Sequence, residues 1–126
     1  MRRAILALMF LAVLTGSILP QTTLVVDSAF APSLNRTMKF AVLLPAGYTP
    51  AGRYPVLYLL HALWGNYSDW SSKTKIGAYA APYRLVIVMP DAGDSWYVNA
   101  RMAENERQED YMVQDLPRTI AARYSI

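Results

Sequence analysis

His61 is the only histidine in the 126 residues, and so the only side chain whose ordinary titration lies near neutral pH, as a general base requires. It follows the apolar run Val56 to Leu60 and opens a polar loop, Ala62-Leu63-Trp64-Gly65-Asn66-Tyr67-Ser68-Asp69-Trp70. A second loop carries Gly93-Asp94-Ser95-Trp96-Tyr97. Serine becomes a nucleophile when a neighbouring base takes its proton. The usual carrier is a strand-to-helix turn of the form Gly-x-Ser-x-Gly, with an acid and then a histidine downstream. Here Tyr97 stands where the second glycine belongs, loop rather than helix follows, and the sole histidine lies upstream. Ser95 therefore reads as a decoy. Glu104, Glu106, Glu109, Asp110 and Asp115 could suggest a cation site, but Arg101, Arg107, Arg118 and Arg123 are interleaved with them, the pattern of a solvated charged face. No metal and no cofactor is expected.

Trp64 and Trp70 on the first loop, and Trp96 and Tyr97 on the second, offer broad polarisable surfaces. Together with Asp91, which opens the second loop, they are the candidate substrate-binding residues. The aromatic rings either line an acyl or aromatic pocket or form the edge of the core.

The elements that position these loops are legible as hydrophobic patterns. Val56 to Leu60 and Leu85 to Met89 show no alternation, which predicts buried strands covered on both faces, as in a parallel sheet. The stretch between them, with Ser68-Asp69 as a cap and a short helix over Ser71 to Tyr79, makes a βαβ-like unit. Ligands of open α/β sheets bind outside the carboxyl ends of the strands, where His61 and Asp91 fall. Thr22 to Val26 reads as a first strand. Arg36 to Leu44 alternates, with Met38, Phe40 and Val42 on one side, and reads as a half-exposed antiparallel strand near a sheet edge. Asp91 to Arg107 lacks periodicity and reads as a long surface loop. Gln108 to Tyr124 reads as a helix presenting Tyr111, Met112, Leu116 and Ile120, with Pro117 kinking it or starting a new first turn.

Composition narrows the function. Met1-Arg2-Arg3, the apolar Ala4 to Leu14 and the small residues Thr15-Gly16-Ser17 have the order of a secretory leader, so residues 1–17 are expected to be removed on export to a secreted, periplasmic or extracellular location. The apolar run falls short of the roughly 20 residues that span a bilayer, so no stable membrane span is expected in the mature chain. Without Arg2 and Arg3 the formal charge falls from +3 to +1, and no basic run remains, which argues against a nucleic-acid partner. The absence of cysteine excludes disulfides and thiolate sites. Oligomeric state is left open.

Four motifs in order carry a resemblance: Leu43-Leu44-Pro45-Ala46-Gly47-Tyr48; Tyr54-Pro55-Val56-Leu57-Tyr58-Leu59-Leu60-His61; Val88-Met89-Pro90-Asp91 with Ser95-Trp96-Tyr97; and Asp115-Leu116-Pro117. Over about Thr22 to Ile126 the chain resembles the putative esterase family of α/β-hydrolases, which includes feruloyl esterases, S-formylglutathione hydrolase and mycolyltransferase antigens. The resemblance implies the N-terminal half of an α/β-hydrolase fold over residues 22–126, a mostly parallel sheet with an antiparallel edge and helices packed on it. It implies a secreted serine carboxylic-ester hydrolase or acyltransferase acting on a small-molecule ester or acyl substrate, cut before its nucleophile and inactive as it stands. By the same alignment the backbone N–H of Leu63 is an oxyanion-hole donor, the kind of contact that stabilises a transition state by ~3 kcal/mol. His61 is then a loop-ordering residue, because the base of this fold comes last in the chain. Relatives carry His-Gly where this chain has His61-Ala62, and the added Cβ bears on a turn that favours glycine. The alternative function is a non-catalytic secreted or membrane-tethered binding module that kept the scaffold.

Overall fold

The computed structural model describes residues 21–126, so the leader reading of residues 1–17 lies outside the described residues. β1 (Thr23–Ala31) and β2 (Arg36–Leu44) pair antiparallel over their whole length, from Thr23↔Leu44 to Ala31↔Arg36. A single 3₁₀ turn, Pro32–Leu34, joins them and closes on Asn35 in the left-handed region at φ 48°, a conformation asparagine tolerates well. β3 (Val56–Tyr58) and β4 (Val86–Pro90) pair in parallel from Val56↔Val86 to Tyr58↔Val88. The sheet order is β1-β2-β4-β3, with β2 and β4 antiparallel. It is a mixed sheet in which one parallel pair adjoins two antiparallel ones.

Two strand expectations are corrected by the burial. β2 is antiparallel and lies next to the edge strand β1, as expected, but it is not half-exposed along its length. Its alternation holds only for the first half; from Phe40 onward every residue is apolar, and Phe40, Ala41, Val42 and Leu43 are buried on both faces. β3, expected to be covered on both faces, is the edge strand, with Leu57 46% and Leu60 39% exposed. Val56 and Tyr58 pack against the larger core on one face, whereas the other face, which carries Leu57, is only partly covered; among the described residues β3 also has a strand on one side only.

Helices cover the two faces unequally. α1 (Asp69–Lys73) and α2 (Ile76–Ala80) replace the single expected helix. Thr74 divides them: its hydroxyl donates to the Trp70 carbonyl and accepts the Ile76 N–H at 3.1 Å, a side-chain competitor to the helix ladder. Trp70, Ile76 and Leu85 pack on this face against Ala41, Leu43, Ile87 and Met89. The other face is covered by a continuous helical segment: α3 (Gln108–Asp110), a π-helical turn (Tyr111–Asp115) and α4 (Leu116–Arg123). Pro117 accounts for the π turn. It has no N–H for the Val113 carbonyl, and its ring crowds that carbonyl, so the preceding turn widens instead of breaking. The widened turn holds Asp115 where its carboxylate accepts the Ser33 N–H at 2.9 Å, fastening the helix to the β1–β2 connection. Tyr111, Leu116 and Ile120 complete the larger core with Leu34, Phe40, Val42, Val86 and Val88. Among the described residues no helix is long and apolar enough to cross a membrane.

Residues 91–107 form the expected long loop, pinned at its far end. Asn99 and Arg107 make an isolated antiparallel bridge, and the Arg36 guanidinium binds both oxygens of Glu106 at 2.7 and 3.1 Å. That bidentate bond, more than any other contact, holds the Glu106 carboxyl below its ordinary range. Arg107 and Asn99 both reach Asp110. Glu106 and Asp110, two of the five carboxylates considered for a cation, are thus engaged with arginine and asparagine.

Ile120 is fully buried beneath the sheet. Ile120→Ala is expected to lower unfolding free energy by about 2–5 kcal/mol, measured by urea denaturation, with a loss well under 1 kcal/mol indicating that α4 does not close the core.

Candidate active site

Parallel pairing brings the carboxyl ends of β3 and β4 to the same rim. The last rung, Leu59 N–H to the Val88 carbonyl at 2.8 Å, leaves the next residues of each chain side by side. There His61, 5% exposed, bridges them. Its Nε2 accepts the Ala92 N–H at 3.1 Å, and its Nδ1 lies 2.8 Å from the Ala62 carbonyl. An amide N–H can only donate and a carbonyl only accept, so the ring proton sits on Nδ1. Both nitrogens are engaged with main chain. Asp91 Oδ1, 3.9 Å from Nε2, is out of hydrogen-bond range and instead accepts the Gly93 N–H at 2.9 Å.

The turn after His61 is held from within. The Ala62 carbonyl receives Nδ1–H of His61 and the Gly65 N–H, the latter at 3.0 Å. That carbonyl and the Leu63 N–H belong to one planar trans peptide, so they point in opposite directions. Fixing the oxygen inward fixes the Leu63 N–H outward, and it makes no hydrogen bond among the described residues. A preorganised, unpaired N–H on an exposed rim is what an oxyanion donor requires. Ala62 is not strained; the left-handed residue of the turn is Trp64, at φ 63°. Glycine matters at Gly65 instead, where a Cβ would stand 2.6 Å from Asp69 Oδ2, 2.9 Å from the Ala62 oxygen and 3.0 Å from His61 Nδ1. The Lys73 ammonium, 2.8 Å from Asp69, holds that carboxyl below its ordinary range.

The five candidate substrate-binding residues do not form one wall. Trp70 is half-buried and donates its indole N–H to the Leu60 carbonyl at 2.9 Å, steadying the end of β3. It lines a hollow of about 190 Å³ with His61, Ala62, Asp69, Lys73 and Thr74. Trp96, 73% exposed, lines a different hollow of about 440 Å³ with Ser95, Val98, Glu106 and Gln108. Trp64, 78% exposed, projects from the turn. Tyr97 is partly buried at φ 58°, and its hydroxyl donates to the His61 carbonyl at 2.9 Å. Burial raises that hydroxyl's pKa above the ordinary tyrosine value, so it is a protonated donor at neutral pH. Asp91 closes its own loop.

Ser95 has no activating base. Its hydroxyl accepts the Tyr97 N–H at 3.3 Å, and the chain's one histidine has both nitrogens occupied. Gly65 and the Ala92 N–H were not singled out as site residues from sequence. Gly65 sits beside the aromatic loop as an ordinary turn glycine, whereas Ala92 carries no side-chain signal at all.

Gly65→Ala is expected to force the Ala62 carbonyl and Asp69 apart, at a cost of about 1–3 kcal/mol. Amide spectra would show shifts centred on residues 61–69; unchanged shifts there would mean that the turn relaxes without moving the Leu63 N–H.

Comparison with known proteins bears on the fold. A ferulic acid esterase structure superposes with a TM-score of 0.73 at 23% identity, covering 84% of this chain and 45% of that one. An S-formylglutathione hydrolase from Agrobacterium tumefaciens gives 0.74 at 19%, covering 87% and 47%. A ferulic acid esterase from Anaeromyces mucronatus, in complex with ferulic acid, gives 0.67 at 19%, covering 88% and 46%. The chain thus spans less than half the length of each, and the likeness is one of fold, the α/β-hydrolase fold. The sequence model of the family described as "Putative esterase" matches residues 31–126, and the chain belongs to that esterase family.

Proposed function

We propose that this chain is the oxyanion-side half of an exported serine carboxylic-ester hydrolase or acyltransferase, with the nucleophile, acid and base supplied from outside these 126 residues. The observation that carries the reading is the unpaired Leu63 N–H, aimed outward by a carbonyl held twice on its inner side. In acyl transfer the attacked carbonyl oxygen gains negative charge as the tetrahedral intermediate forms. A fixed N–H at that point stabilises the transition state more than the ground state, because its dipole needs no reorientation when the charge develops. The substrate class is a small carboxylic ester or thioester, bound beside the aromatic loops. Ferulic acid and S-formylglutathione are named for the structural relatives.

The same rim lacks the means of attack. A serine hydroxyl at neutral pH is almost wholly protonated, and activation needs a base within hydrogen-bond reach. His61 cannot serve without releasing either Ala92 or the Ala62 carbonyl, and the second release would undo the oxyanion turn itself. Residues 18–126 are therefore expected to show no turnover of p-nitrophenyl acetate or butyrate above a protein blank, and no stoichiometric fluorophosphonate labelling. Labelling abolished by Ser95→Ala would overturn the reading and make the Gly93 loop the nucleophile site. The rival binding-module reading draws on the exposed Trp64 and Trp96. It would be favoured by a carbohydrate or aromatic ligand that quenches their fluorescence while remaining chemically intact even with the full-length gene product.

Export is part of the proposal and rests on the order of residues 1–17 alone. Intact mass of secreted material is expected to lack roughly the first 16 to 23 residues; a membrane-bound species still carrying Met1 would contradict it.

A further inference from the structure

We propose that Tyr97 is a positioning residue for the oxyanion turn, its hydroxyl setting where the turn stands on the rim and so where the Leu63 N–H is delivered. The inference rests on the esterase reading above and adds a residue to it.

Contacts inside a turn and contacts from outside it do different things. The bonds on the Ala62 carbonyl come from His61 and Gly65, both within the turn, and they set its internal shape. Its entry is anchored by β3, through the Leu59 N–H on Val88 and the Trp70 indole on the Leu60 carbonyl. Beyond that point two ties reach it across long stretches of chain: the Ala92 N–H on the His61 ring, 31 residues away, and the Tyr97 hydroxyl on the His61 carbonyl, 36 residues away. The first grips a side chain that rotates about its own bonds. The second grips the main chain, on the peptide plane immediately before the one that carries the Leu63 N–H. The Tyr97 tie is the one that holds the main chain of the turn after it has left the strand.

The loop accepts an uncommon backbone to make this second tie. Tyr97 has a left-handed φ of 58°, which bulky L-residues rarely adopt, and its amide is turned back onto the Ser95 hydroxyl. The ring packs at 5.6 Å from the His61 imidazole, tilted by 58°, so the hydroxyl is directed by packing as well as by the hydrogen bond. Backbone strain of this kind persists where the surroundings over-determine it. Here the surroundings converge on one acceptor, the His61 carbonyl.

Tyr97→Phe keeps the ring and removes only the donor, and the readouts come from isotope-labelled protein without any need for turnover. The Leu63 amide order parameter is expected to fall from about 0.85 towards 0.6, the range that separates rigid from flexible backbone. Ala92 amide exchange is expected to accelerate about five- to tenfold, the effect of one weakened hydrogen bond. The β4 amides of Ile87 and Val88 keep their protection. Ser95→Ala, which removes the acceptor of the Tyr97 N–H but leaves the Tyr97 hydroxyl in place, is expected to keep Leu63 rigid. An unchanged Leu63 in Tyr97→Phe would overturn the proposal, as would equal loss of protection through β4, which would mark Tyr97 as a general stability residue. A loosened Leu63 in Ser95→Ala would also overturn it, by assigning the effect to loop shape. Any of these results leaves the esterase reading standing, whereas fluorophosphonate labelling at Ser95 would remove that reading without altering the Tyr97 geometry.

Discussion

A buried imidazole carries one donor nitrogen and one acceptor nitrogen, and leaving either unpaired costs on the order of 1–3 kcal/mol. His61 meets that constraint with main-chain partners drawn from two different loops. The rim of the sheet is organised by this requirement. One partner belongs to the turn after β3 and the other to the loop after β4, so the two loops cannot separate without stranding a buried ring. Parallel pairing of β3 and β4 supplies the precondition, since only parallel neighbours end on the same side. The fold and the site meet at a single residue.

That arrangement also explains why a histidine beside a serine-containing loop is not a catalytic pair here. General-base chemistry needs a nitrogen lone pair facing the nucleophile. In His61 the lone pair faces the Ala92 N–H and the proton faces the Ala62 carbonyl. The same two bonds that exclude the residue from proton transfer give the neighbouring peptide its direction. Local stiffness and chemical availability are opposed at this position, and stiffness prevails.

Much of the scaffold was legible because it depends on short-range pattern. Uninterrupted apolar runs located β3 and β4, and the alternation of Met38, Phe40 and Val42 identified the face that packs on α4. Position within the sheet was less legible. Residues in β2 and β3 record their affinity for cover, and only the pairing order shows that, among the described residues, β2 has neighbours on both sides and β3 on one. Helix interruptions were half visible. Pro117 announced a disturbance, though not that the preceding turn widens instead of breaking, nor that the widened turn brings Asp115 to Ser33. Thr74 gave little warning, because a threonine in a helical stretch acts as a breaker only when its hydroxyl finds backbone partners at both ends. The site was legible as a location and illegible as a mechanism of assembly. Ala92 takes part through its amide alone, and Tyr97 reaches His61 across 36 residues of chain. Such contacts follow from strand register, which no local window contains.

The bare side of β3 has a consequence for how these residues behave in solution. Leu57 and Leu60 are more than a third exposed along that margin, and an apolar hollow of about 240 Å³ lined by Ile76, Tyr79, Tyr83 and Leu85 adjoins Leu57. Among the described residues this is an edge strand with leucine side chains and no lysine from Val56 to Leu60, the kind of edge to which a further strand can add. This margin is, among the described residues, the part of the molecule best suited to pairing with a further strand.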